Sequence, residues 1–128
     1  MSDAKNIKGH RLEPFAQCAG AQLDYARLNA ANLYSIDLRS ASMRESHLAG
    51  AHLAEARLGG ADLTGANLAG ANLGGADLSR ANLTGADLTG ANLRRANLTG
   101  ARMGGCSLVG VYFCQTVMPD LRVNDQNC

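Results

Sequence analysis

The chain has 128 residues, with twelve Lys or Arg against eleven Asp or Glu and a formal net charge of +1. That length suits one domain, and the balanced charge excludes a bulk electrostatic pull toward nucleic acid or an anionic membrane. No apolar run approaches the roughly 18 residues of a transmembrane helix, and with three Tyr, two Phe and no Trp the core has to be aliphatic.

Residues 1–15, MSDAKNIKGHRLEPF, stand outside any pattern. They lack the apolar stretch of a secretory signal, so the expectation is a cytoplasmic protein. The segment reads as a mobile start followed by an apolar plug of Leu12 and Phe15.

From Ala16 to Gln115 a five-residue unit repeats twenty times. Its clearest stretch, Ala61 to Gly100, reads ADLTG ANLAG ANLGG ADLSR ANLTG ADLTG ANLRR ANLTG. As an α-helix the leucines would step round by about 140° per unit and face every direction. As a flat strand the Ala–Leu pairs would alternate between faces, because the step from a Leu to the next Ala is odd. Only a chain that turns a corner once per unit keeps every Ala and Leu inside. Repeated corners of one sense build a coil, and stacked coils build a parallel β-solenoid.

The pattern A-[D/N]-L-x-x resembles the pentapeptide-repeat proteins. The period alone does not separate three sides from four. The resemblance implies an all-β, right-handed, four-sided parallel β-helix with four units per coil. Five coils follow, 16–35, 36–55, 56–75, 76–95 and 96–115, between an N-terminal tail and cap (1–15) and a C-terminal cap and tail (116–128). Caps are needed because an open solenoid end exposes core side chains and unpaired backbone edges.

In each unit Ala fills the small inward position and Leu the large one. The core is Leu23, Leu28, Leu33, Leu38, Leu63, Leu68, Leu73, Leu78, Leu83, Leu88, Leu93 and Leu98, closed by Phe113. Cys18, Met43 and Met103 also replace Leu, and Ile36, Ser46, Cys106 and Val111 replace Ala. Asp and Asn ahead of each Leu point outward, where short side chains bond neighbouring backbone. Every twentieth residue stacks, giving the column Gln17, Asp37, Arg57, Asp77, Asn97, with Arg57 between two aspartates.

Past Gln115 the register fades. Pro119, without an N–H, is suited to ending a ladder. Met118, Leu121 and Val123 are expected to fold over the last coil as a lid, and Asn124 to Cys128 to fray. Cys18 and Cys106 take inward positions, while Cys114 is outward. A reducing cytosol argues against a Cys114–Cys128 bridge, and no C-x-x-C zinc spacing exists.

Catalysis finds no support. The glycine spacings follow from the period, no Gly-Lys-Ser/Thr occurs, and serines and threonines fall on a convex surface without a pocket. His47 and His52, with Glu45 and Glu55 nearby, sit on adjacent diverging sides, so no metal site and no cofactor is expected.

The second coil is the least regular. Tyr25, Tyr34, Arg39, Arg44, Glu45, His47, His52 and Glu55 form the candidate partner-binding surface. The plainer reading of the same residues is drift at unconstrained outward positions. Arg39, Arg57 and Arg80 share one side, and Arg94 and Arg95 the adjoining corner. Asp37 and Asp77 interleave them, so they do not make a nucleic-acid track.

The expected function is a non-enzymatic scaffold presenting flat sides to an unidentified protein partner, as a monomer or an end-to-end or face dimer, with no membrane or nucleic acid. The resemblance implies an alternative, since some members of that family mimic B-form DNA and bind DNA gyrase, protecting it from quinolones. That mode needs a strongly acidic surface. Residues 16–115 carry eight Arg against seven Asp or Glu, which ranks the alternative second.

Overall fold

The computed structural model describes residues 5–128. The expected mobile start falls partly on residues 1–4, outside the described residues.

Each unit through 106–110 closes a turn in which the first residue of the next unit donates its N–H to the carbonyl of the Leu position, as in Ala66 N to Leu63 O at 3.0 Å. The fifth position takes a positive φ, which suits glycine; in the first two coils it is held instead by Tyr25, Ala30, Ser35, Ser40, Glu45 and Glu55, at φ of 55 to 64°. Coils then join through three backbone bonds per unit. Asn82 N donates to Ala61 O (2.9 Å), Leu63 N to Asn82 O (2.7 Å) and Gly65 N to Thr84 O (2.9 Å). Parallel bridges link residues twenty apart, from Gln17↔Asp37 to Asn97↔Val117. One turn of the coil therefore takes four units. Sides 1 to 4 below are those of the units beginning at Ala16, Ala21, Ala26 and Ala31. Corners leave one bridging residue per unit, so the ladders never lengthen into strands.

The stacked Leu and Ala residues are buried from Leu23 to Leu98, most of them fully. At about 1.5–3 kcal/mol per buried leucine, this column dominates the gross stabilisation before ordering costs. Ser46, in an alanine position, is 1% exposed and its hydroxyl has no hydrogen-bond partner.

The N-terminal end departs from expectation. β1 (Lys5–Ile7) and β2 (His10–Leu12) form an antiparallel hairpin. Its two-residue turn, Lys8-Gly9, has positive φ at both positions, the geometry a tight hairpin requires. Leu12 is 1% exposed and Ile7 packs on the core. Phe15 is no plug: it is 68% exposed. Counted back from Ala16 it occupies a corner position, with φ 65°, and its ring meets Tyr34 edge-on with centroids 5.5 Å apart.

The C-terminal end also corrects the reading. The register continues through 116–120, where Val117 bridges Asn97 and Gly100 N donates to Pro119 O at 3.1 Å. Thr116 fills the small inward position and satisfies its hydroxyl on Leu93 O at 2.6 Å. Met118 packs on the core, but Leu121 and Val123 are exposed and form no lid. β3 (Thr116–Val117) pairs antiparallel with β4 (Val123–Asn124).

The last residues do not fray. Asn127 N donates to Phe113 O (2.6 Å), Phe113 N to Asn127 Oδ1 (2.8 Å) and Gln115 N to Asp125 Oδ1 (2.8 Å). The tail thus doubles back over Cys114, which keeps its outward register position outside the core, is buried beneath the tail and is bonded to Cys128. The bridge argued against from the sequence is present, because the tail's own hydrogen bonds bring the two cysteines together.

Candidate partner-binding surfaces

The eight candidate surface residues do not form one patch. A coil distributes consecutive units over four sides, so Arg39 lies on side 1, Tyr25, Arg44 and Glu45 on side 2, His47 on side 3, and Tyr34, His52 and Glu55 on side 4. On side 1, Arg39 turns back to Asp37 in its own unit, donating Nη2 to Oδ2 at 2.7 Å. This hydrogen bond holds the Asp37 carboxyl below its ordinary range. Arg57 bridges Asp37 and Asp77 through the backbone as expected, yet Asp37 spends its carboxylate on Arg39.

Side 4 holds the best-organised group. Tyr34 stacks on His52 with centroids 5.7 Å apart and Phe15 caps the pair edge-on. Beside them a shallow depression of about 560 Å³ includes Phe15, Glu55 and Arg57. Phe15 was missed as a surface residue because it lies outside the repeat; only counting the register backward exposes it.

A second surface lies at the C-terminal end. Side 1 of the last coil is covered by 116–120 and side 4 by the tail. Among the described residues nothing pairs with sides 2 and 3, residues 101–110, from above. Among the described residues, the N–H groups of Met103, Gly105, Leu108 and Gly110 have no partner, nor do the carbonyls of Ala101 and Cys106. The equivalent N–H groups one coil below, on Leu83, Gly85, Leu88 and Gly90, are all bonded upward. Leu108, inward by register, is 37% exposed for want of a coil above it. Among the described residues, five of the seven exposed large hydrophobics, Leu108, Val109, Tyr112, Leu121 and Val123, belong to this last coil or the segment after it. Exposed apolar side chains are thus concentrated at this end of the coil.

The family model described as pentapeptide repeats matches residues 16–53, 41–80 and 76–115. The chain belongs to the pentapeptide-repeat family. Among solved structures this pentapeptide-repeat chain is similar to the pentapeptide-repeat protein Rfr23 of the cyanobacterium Cyanothece 51142, at 32% identity and TM-score 0.68 over 78% of this chain and 83% of that one. It is also similar to HetL, a pentapeptide-repeat protein involved in heterocyst differentiation regulation in Nostoc sp. PCC 7120, at 29% identity and TM-score 0.42 over 86% of this chain and 62% of HetL. The plasmid-mediated fluoroquinolone resistance protein QnrB1 matches at 28% identity and TM-score 0.40, over 76% of this chain and 53% of that one. No curated protein matches. With the family match and the likeness to Rfr23, the coil is a right-handed β-helix solenoid.

Charge is spread evenly over the pentapeptide-repeat coil. By side the formal charges within 16–115 are +1, −1, 0 and +1. A groove of about 830 Å³ on side 1 is lined by Arg39, Ser40, Asp77, Ser79 and Arg80 among others. Among the described residues no helix is long and apolar enough to cross a membrane.

Proposed function

We propose that the chain is a non-enzymatic protein-binding module. It is a rigid rod of five coils, closed at its N-terminal end by the β1–β2 hairpin and half-open at the other. The observation that carries this reading is the uncovered edge over residues 101–110. Its free N–H and C=O groups repeat the spacing by which each coil engages the next. The occupant it fits is an extended segment of a partner protein, laid parallel on sides 2 and 3 and covering Leu108. This is strand addition, in which main-chain bonds supply affinity and inward side chains supply selectivity. The flat sides, with the Phe15–Tyr34–His52 group on side 4, offer secondary contacts.

Gyrase binding by DNA mimicry is the less favoured reading. Near-neutral sides neither steer toward a basic groove nor compete with phosphate there. A cytoplasmic location belongs to the proposal, and in that compartment the Cys114–Cys128 pair would be held largely reduced.

The test is quantitative affinity capture from the host with the wild-type chain, Leu108→Asp and Arg57→Ala, the retained proteins identified by mass spectrometry. The proposal expects a partner that the wild type and Arg57→Ala retain alike and Leu108→Asp loses. A partner retained equally by Leu108→Asp would refute binding at the open edge. Sedimentation of the free chain separates a foreign partner from a second copy, which would appear as an end-to-end dimer lost in Leu108→Asp.

A further inference from the structure

The tail places two sulfurs and a carboxylate together. Among the described residues, Cys114 Sγ, Cys128 Sγ and an oxygen of Asp125 lie within 4.8 Å of one another. Sequence spacing hides this set, because Cys114 and Cys128 are 14 residues apart and far from any zinc-ligand spacing. In the oxidised chain the two sulfurs are bonded to each other, and Asp125 Oδ1 lies 3.4 Å from Cys128 Sγ.

Hydrogen bonds hold the tail in addition to that bond. Asn127 exchanges two hydrogen bonds with Phe113, and Gln115 N–H holds Asp125 Oδ1. With the disulfide reduced, these contacts would hold the thiols and the carboxylate facing each other. The Gln115 contact leaves Asp125 Oδ2 free and orients the group, as outer partners of metal ligands do. Cys114 lies against the protein, while Cys128 and Asp125 are exposed, so one approach stays open to water.

We propose that the reduced tail is a binding site for a thiophilic divalent cation such as Zn²⁺, held by the Cys114 and Cys128 thiolates and the Asp125 carboxylate with water as fourth ligand. Two sulfurs and one oxygen in tetrahedral array suit zinc, and at about 2.3 Å per zinc–sulfur bond the sulfurs need separate only to about 3.8 Å. The other two cysteines are no part of it. Cys18 is buried and Cys106 half-buried in the core.

The chemistry balances in two steps. A dithiol reductant supplies two electrons and two protons to the Cys114–Cys128 bond, yielding two thiols and its own disulfide. The cation then displaces both thiol protons to solvent as the two sulfur–metal bonds form. Disulfide and metal are mutually exclusive, so the tail is pinned by one or the other according to redox state.

The experiment uses the full chain, reduced with a phosphine, freed of excess reagent under argon and titrated with Co²⁺, then Zn²⁺. Expected is one equivalent of Co²⁺ with a thiolate-to-cobalt charge-transfer band and intense tetrahedral visible bands, displaced by Zn²⁺. The oxidised chain and Cys128→Ser give no such band, Asp125→Asn binds at least tenfold more weakly, and a Cys18→Ser/Cys106→Ser double variant keeps the full signal. Cys128 and Asp125 are exposed in the tail, and unchanged circular dichroism confirms that their variants fold. A reduced wild type without the band, the same band in Cys128→Ser, or unweakened binding in Asp125→Asn would each overturn the site.

Discussion

Asp24 Oδ1 accepts the Ser42 hydroxyl at 2.5 Å and the Arg44 N–H at 2.9 Å, tying the first coil to the second through a side chain. Elsewhere the Asp or Asn ahead of each Leu serves its own unit, as Asn67 Oδ1 does for Ala69 N at 3.0 Å. Ser42 and His47 occupy that place without a suitable acceptor. The coil below supplies one instead, Asp24 for Arg44 and Asn29 for Ala49 N at 2.9 Å. Asp24→Ala removes both bonds and should destabilise the chain by about 1 kcal/mol. Thermal or urea unfolding measures it, and a loss no larger than that of an exposed Gln22→Ala would contradict the cross-coil role.

The same contacts set the acid limb. The Ser42 hydroxyl, then the Arg44 N–H, hold the Asp24 carboxyl below its ordinary value. Arg39 does this for Asp37 and the Thr89 hydroxyl for Asp87. A carboxyl depressed in the fold binds fewer protons there than when unfolded. Its stabilisation is therefore present above the unfolded value of about 4 and disappears as pH falls through the lower folded value. Urea midpoints should be level from pH 7 to about 5 and fall below about 4. Asp24→Asn should flatten that fall, and an unchanged acid slope would count against the assignment.

Ser46 sits in an alanine position with a buried, unpartnered hydroxyl. Removing a buried polar group that makes no bond recovers its desolvation cost, so Ser46→Ala should raise stability by about 1 kcal/mol. Differential scanning calorimetry of the two proteins decides this. A lowered melting temperature would mean that the hydroxyl has a partner, such as a buried water.

Leu68 and Leu73 are fully buried, whereas Thr64 is only partly so. Leu68→Lys or Leu73→Lys places an unpaired charge in an aliphatic column and should abolish cooperative folding. Thr64→Lys should change stability by no more than about 1 kcal/mol. Circular dichroism through a thermal ramp checks all three, and equal losses would contradict the inward–outward register.

The five-residue period made the column from Leu23 to Leu98 legible because burial there depends only on position within the unit. It made the surface illegible for the same reason. Tyr25, Arg39 and His47 are close in sequence but lie on three different sides once the chain turns a corner every unit. The ends were hidden by chemistry that breaks the pattern while keeping the register. Thr116 stands where Ala would, with its hydroxyl satisfied on Leu93 O. Phe15 looks like core and occupies a corner. The Cys114–Cys128 bond follows from the tail's return over Phe113, and nothing in the spacing of the two cysteines signals that return.

The half-open C-terminal edge is tested most directly by amide hydrogen exchange, followed by NMR in the dilute free chain and in complex with the captured partner. Exchange of the Met103, Gly105, Leu108 and Gly110 amides should be fast in the free chain, while Leu83, Gly85, Leu88 and Gly90, bonded to the coil above, should be protected. The partner should then slow the first four specifically. Protection of those four amides in the dilute free chain, or their continued fast exchange in the complex, would contradict the account.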